Sequence, residues 1–136
     1  FQNAAGYVGW CIAGVRCYLC INANGYIDPF VFIHYSDSNI REKTLLQALR
    51  SPMLMAYHAN QPFNENMLRP CPMLENPQKL RAMVNESGAH STDLQSPETA
   101  EHLCAKCDHY AKHWKVSADK LWQENKKRKT SSISLN

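Results

Sequence analysis

The sequence predicts a small α+β domain, one β-hairpin followed by short helices around a Cys-rich metal site. Three observations carry this reading. Two runs rich in β-branched and aromatic residues flank an Asn-Gly pair near the N-terminal end. Helix-starting pairs then recur down the chain: Thr44 with Gln47, Ser51-Pro52, Asn76-Pro77 and Ser96-Pro97. Six cysteines, Cys11, Cys17, Cys20, Cys71, Cys104 and Cys107, are spread among these segments.

The hairpin comes first. Arg16 to Asn22 reads as a strand and Tyr26 to Tyr35 as its return, with Ala23-Asn24-Gly25 as the turn because Asn-Gly tolerates positive φ. Pro29 removes a ladder donor, so the return strand is expected at an edge or with a bend. Thr44 and Gln47 form a capping-box pattern that opens a short helix to Arg50. A second helix starts at Ser51-Pro52 and runs to Ala59, since proline is comfortable at the first helical position. Gln61 to Pro72 reads as a loop. Asn76-Pro77 opens a helix to Ser87, which Gly88 stops. Ser96-Pro97 starts another, with Glu98 and Glu101 favouring its dipole. Cys104 to Trp114 is left unassigned, and Ser117 is expected to cap a last helix.

The 136 residues suit one domain, expected over residues 1–122, with a basic, disordered tail over residues 123–136. A chain of this size buries roughly two thirds of its unfolded surface, so a bound metal would add noticeably to stability. Net charge is +3, and much of the excess is the run Lys126, Lys127, Arg128 and Lys129. A run of this kind, with no aromatic partners after it, reads as a solvated tail rather than a nucleic-acid surface. The longest mostly apolar stretch, Ala4 to Val15, is too short to span a bilayer and lacks the basic flank of a signal peptide. The expectation is a protein with neither nucleic-acid nor membrane partners. A chain opening on Phe1 without a capping or starting residue reads as a piece of something longer or as a processed product.

Without a secretion signal, six cysteines are expected as thiols in a reducing, cytoplasmic compartment. Six histidines accompany them. Cys104-Ala105-Lys106-Cys107 has the spacing with which two thiolates grip one ion, and Lys106, Lys112 and Lys115 favour deprotonation. Two thiols three apart on a helix share a face without any metal, which is the competing reading. Cys17-Tyr18-Leu19-Cys20 has the same spacing, but in a strand those positions point to opposite faces, so both are expected to be packing thiols. Cys71 sits on a rigid loop between Pro70 and Pro72, and Cys-Pro is frequent around iron–sulfur clusters. Cys11 follows Gly9-Trp10, where a small residue admits a cluster. Cys11, Cys71, Cys104 and Cys107 therefore make four thiolates that suit a cubane iron–sulfur cluster or a tetrahedral zinc.

Cys11, Gly25 and position 30, followed by Cys104-x2-Cys107-x5-His113-x3-Ser117, have the spacing of a family pattern. It resembles the SPASM or twitch auxiliary-cluster domain of radical S-adenosylmethionine enzymes. That pattern is Cys-x9–15-Gly-x4-Cys, a gap, then Cys-x2-Cys-x5-Cys-x3-Cys, a gap and a last Cys. The wording I-N-A-N-G-Y-I-D-P-F-V-F, S-D-S-N-I-R-E-K-T-L-L-Q-A-L-R-S-P and M-L-R-P-C-P-M-L-E-N-P is also similar to that family. The resemblance extends from about Gly9 to Trp122. It implies an auxiliary iron–sulfur cluster, [4Fe-4S] in type, aiding substrate binding or electron transfer; thiolate chemistry alone leaves zinc as the alternative. It implies as partners the barrel domain of a parent chain and a peptide or protein substrate. Phe30, His113 and Ser117 stand where the pattern has cysteines, and no cysteine follows Cys107. The expected ligands are Cys11, Cys104, Cys107 and His113 from the pattern and Cys71, which falls in the pattern's gap, from its chemistry, for one cluster at most. The catalytic Cys-x3-Cys-x2-Cys motif is absent from this sequence, so no catalytic residue is assigned. A zinc-stabilised interaction module and a degenerate fragment without metal are the other two readings.

Overall fold

The structure, a computed structural model, describes residues 11–133 and the side chains of residues 11–128. Gly9-Trp10, most of the Ala4 to Val15 stretch and the last three residues of the chain lie outside them. The described residues form two two-stranded antiparallel sheets and four helices, an α+β arrangement.

The hairpin is present but short. Strand β1 (Cys20–Ile21) pairs with β2 (Ile27–Asp28), Cys20 opposite Asp28 and Ile21 opposite Ile27. Its turn is held by Asn22, whose side-chain oxygen accepts from the amides of Asn24 and Tyr26. Gly25 completes it at φ 86°, a conformation glycine takes without steric cost. Neither strand reaches its expected length. Before β1 the chain coils through Gly14 and Val15, both at positive φ, and the Cys17 amide bonds Ile12 O. After β2, Pro29 ends the ladder, and the Ile33 amide bonds Phe30 O in a tight reversal.

Strand β3 (Tyr35–Ser36) pairs with β4 (His90–Ser91), a partner far down the chain. Helices α1 (Leu45–Leu49), α2 (Pro52–Ala59) and α3 (Pro77–Ser87) lie where their start signals put them. Thr44 and Gln47 make the full capping box. The Ser51 side chain makes no capping bond at α2, and the remote Asp37 carboxylate accepts the Met53 amide there. Gly88 ends α3 in the left-handed conformation at φ 69°.

Helix α4 (Ala100–Ile133) departs most from expectation. It is one helix through Cys104 to Trp114, through Ser117 and through residues 123–133, where the sequence predicts a disordered tail. It begins after Thr99, whose hydroxyl accepts the His102 amide, rather than at Ser96-Pro97. Its buried positions Ala100, Cys104, Cys107, Ala111 and Ala118 recur at helical spacing, so one stripe seats the first half of the helix. Its Ala100 and Cys104 pack on Leu80, Met83 and Val84 of α3, and the core continues through Met53 and Tyr57 of α2 to Ile33, Tyr35 and Phe63. Among the described residues no helix is long and apolar enough to cross a membrane.

Candidate functional site: the cysteine neighbourhoods

The loop that carries Cys71 is clamped from three sides. Asn76, buried just ahead of α3, donates from its amide to the carbonyls of Arg69 and Cys71 at 2.9 and 3.0 Å. The Cys71 amide donates to the Glu75 carboxylate at 2.6 Å. Helix α4 ties down the rest: Trp114 Nε1 donates to Leu68 O at 2.9 Å, and Asp119 accepts from Asn66 and faces Arg69. These bonds fix the Cys71 sulfur, which accepts weakly from the Leu74 amide at 3.4 Å. Burial pushes the Cys71 thiol up to about 11, the Leu74 and Met73 amides pull against that rise, and Glu75 and Cys11 add to it.

Cys11, from the other end of the chain, lies near enough to Cys71 to raise its thiol slightly. Its sulfur lies 3.6 Å from the Tyr57 hydroxyl. Tyr57 is fully buried, and its phenol is held far above the usual range by burial first, then by Cys11 and more weakly by Cys71. The Tyr18 phenol is raised by burial, then by Cys11 and Cys20. Phe30 packs its ring 5.9 Å from that of Tyr18, which puts position 30 beside the same neighbourhood. Cys11 thus meets the Tyr57 phenol, and Cys71 and Tyr18 lie near enough to interact with them electrostatically.

Cys104 and Cys107 lie elsewhere, on the buried stripe of α4. Cys104 Sγ donates to Pro77 O at 3.1 Å, so the thiol bridges α4 to the first turn of α3. Burial raises it to about 11, with Arg81 pulling against the rise. Cys107 is raised by burial and pulled down by Lys106. Both are protonated packing thiols at neutral pH. His113 is exposed on α4, its ring against that of His109 with centroids 4.3 Å apart.

The expected ligand set of Cys11, Cys71, Cys104, Cys107 and His113 is therefore divided among three places. Among the described residues there is no group of three or more His, Cys, Asp or Glu side chains that could hold a metal ion. Cys11 with Cys71 is the pair that best suits a cluster, and two thiols are half of a four-ligand set. All six cysteines are free thiols. Cys17, expected to pack, is exposed on the turn before β1, while Cys20 is half-buried with its thiol raised by burial and by Asp28.

Sequence reasoning passed over two arrangements. Asp28 is buried, accepts from the Thr92 hydroxyl at 2.6 Å and stands 3.7 Å from His34 Nδ1. Burial holds its carboxyl above the ordinary range, with Thr92 and His34 opposing. Thr92 comes from the segment after β4, so nothing local in the sequence announces this cluster. His34 also lines a cavity of about 310 Å³ with Phe32, Ser91 and Glu98. The second arrangement is His109 with His113. Its signal, two histidines four apart, becomes legible only once Cys104 to Trp114 is read as helix.

No protein-family model, curated protein or solved structure matches this chain.

Proposed function

We propose that the chain is the C-terminal auxiliary portion of a radical S-adenosylmethionine protein, holding an iron–sulfur cluster at Cys11 and Cys71 and aiding substrate binding or electron transfer. One observation carries the reading: Cys11 Sγ lies 3.6 Å from the buried Tyr57 hydroxyl, and Cys71, far away in sequence, is near enough to raise that phenol and to be raised by Cys11. The Cys71 thiol, raised by burial, releases its proton when iron binds, so its surroundings oppose a free thiolate and favour one neutralised by a cationic centre. Phe30, where the resembling family carries a cysteine, packs its ring beside Tyr18 and against the same core as Cys11. A phenyl ring cannot ligate iron, so a cluster here keeps coordination positions open to a substrate group. The radical-generating step belongs to a barrel domain of the parent chain, acting on a peptide or protein substrate in a reducing, cytoplasmic compartment.

Anaerobic reconstitution with ferrous iron and sulfide tests the reading, with iron, sulfide and zinc measured per chain. Wild type should take up iron and colour. Phe30→Cys should hold more iron and lose it more slowly in air, although loss of the ring costs on the order of a few kcal/mol of packing. Cys71→Ser should lose the colour, and Cys104→Ser should match wild type. Equal iron in wild type and Phe30→Cys would remove position 30 from the site. A colourless zinc protein would establish the zinc-stabilised module instead. Neither metal in either protein would leave a domain without a cluster.

A further inference from the structure

Helix α4 carries a second candidate metal site on the face opposite its buried stripe. His109 and His113 are four residues apart, so they stack one turn above the other on the same side. Their ring centroids lie 4.3 Å apart with 30° between the planes. Both are exposed, so an ion has access and water can fill its remaining positions. Among the described residues neither ring makes a hydrogen bond or ion pair, whereas His102 on the same helix is held by Glu98 at 2.9 Å. The backbone beneath them is interior helix, anchored below by Ala111 and by the Trp114 bond to Leu68. The pair is therefore preorganised by elements that do not depend on metal.

We propose that His109 and His113 form a bidentate site for a borderline divalent transition ion, nickel, copper or zinc, on the outer face of α4. Imidazole nitrogen suits these ions, which it binds at about 2 Å, and two histidines on one helical turn are a recurrent chelating unit. Calcium and magnesium prefer oxygen ligands and do not suit it. Exposed Lys112 lies between the two in sequence, and its repulsion of a dication is screened by solvent and salt. This site is separate from Cys11 and Cys71, and it assigns His113 to His109 rather than to a thiolate set.

The test uses the full chain, reduced and stripped of metal, titrated with nickel chloride by calorimetry. His109→Gln and His113→Gln should each weaken nickel binding roughly tenfold or more, since loss of even an outer partner of a metal ligand costs that much. His102→Gln should keep the wild-type affinity. Nickel should raise the melting temperature of wild type and leave both weakened variants unmoved, because the clamp binds only the helical form. Equal affinity in wild type, His109→Gln and His113→Gln would place nickel on the thiols and overturn the proposal. An equal loss in His102→Gln would also overturn it, showing uptake by any exposed histidine.

Discussion

Gly14 lies against the ring of Tyr57, so close that a β-carbon at position 14 would overlap the ring's Cδ1 and stand 2.6 Å from its Cε1. Gly14 also takes φ 63°, and its amide bonds Pro29 O at 2.8 Å. The contact seats the phenol that meets Cys11.

Gly14→Ala should therefore destabilise the protein by about 3 kcal/mol, part from the left-handed backbone and part from overpacking. Gly88 offers the control. It has φ 69° and open space where a β-carbon would go, so Gly88→Ala should cost only about 1 kcal/mol. Denaturant midpoints of the two variants measure the difference. If Gly14→Ala costs no more than Gly88→Ala, the ring does not press on position 14.

The raised Cys104 thiol makes stability fall in alkali. Burial moves this group from 9.0 to about 11, so between those values the folded state keeps a proton that the unfolded state has lost. Its contribution is complete below the unfolded value and is lost as pH rises through the folded one. By pH 11 the loss is on the order of 2 kcal/mol. Cys71 and the buried phenols of Tyr35 and Tyr57 are raised as well and act in the same sense. Denaturation at several pH values should show a falling curve for wild type and a shallower one for Cys104→Ala. Parallel curves would mean that the Cys104 thiol ionises freely in the folded protein.

Ser117 separates a continuous α4 from a helix that starts there. At an N-cap, Ser→Ala costs about 1 kcal/mol. In an exposed helix interior the same change is neutral or stabilising by up to about 0.5 kcal/mol. Ser117 is exposed within α4, so Ser117→Ala should leave the melting temperature unchanged or slightly raised. A clear fall would mean that α4 breaks at that residue.

The local signals were readable where local chemistry decides. Thr44 and Gln47 bond each other as their spacing requires, Pro52 and Pro77 stand in first turns, and Gly25 and Gly88 take the positive φ that marked them. Asn76 shows where such reading stops. It precedes α3 as expected, yet its side chain leaves the helix amides alone and clamps the Cys71 loop. The same sequence position admits both uses, and only the loop's presence selects one.

The candidate site divides along the same line. Cys104 and Cys107 have one spacing whether they sit in a turn that grips an ion or on a helix that buries them. The choice was made by α3: Leu80, Met83 and the Pro77 carbonyl offer apolar contact and an acceptor to the stripe that carries both thiols. That packing extends α4 through residues with weak start and stop signals of their own, and it turns His109 and His113 together to solvent.

The sequence by itself determined the α+β class, the hairpin turn and the starts of three helices, because each rests on bonds within a few residues. Tertiary structure alone decided that β3 pairs with β4, that Thr92 reaches the buried Asp28, and that Cys11 meets Tyr57 while Cys104 turns to Pro77. Those pairings depend on which apolar surfaces close on each other, and residue spacing along a chain carries no record of that.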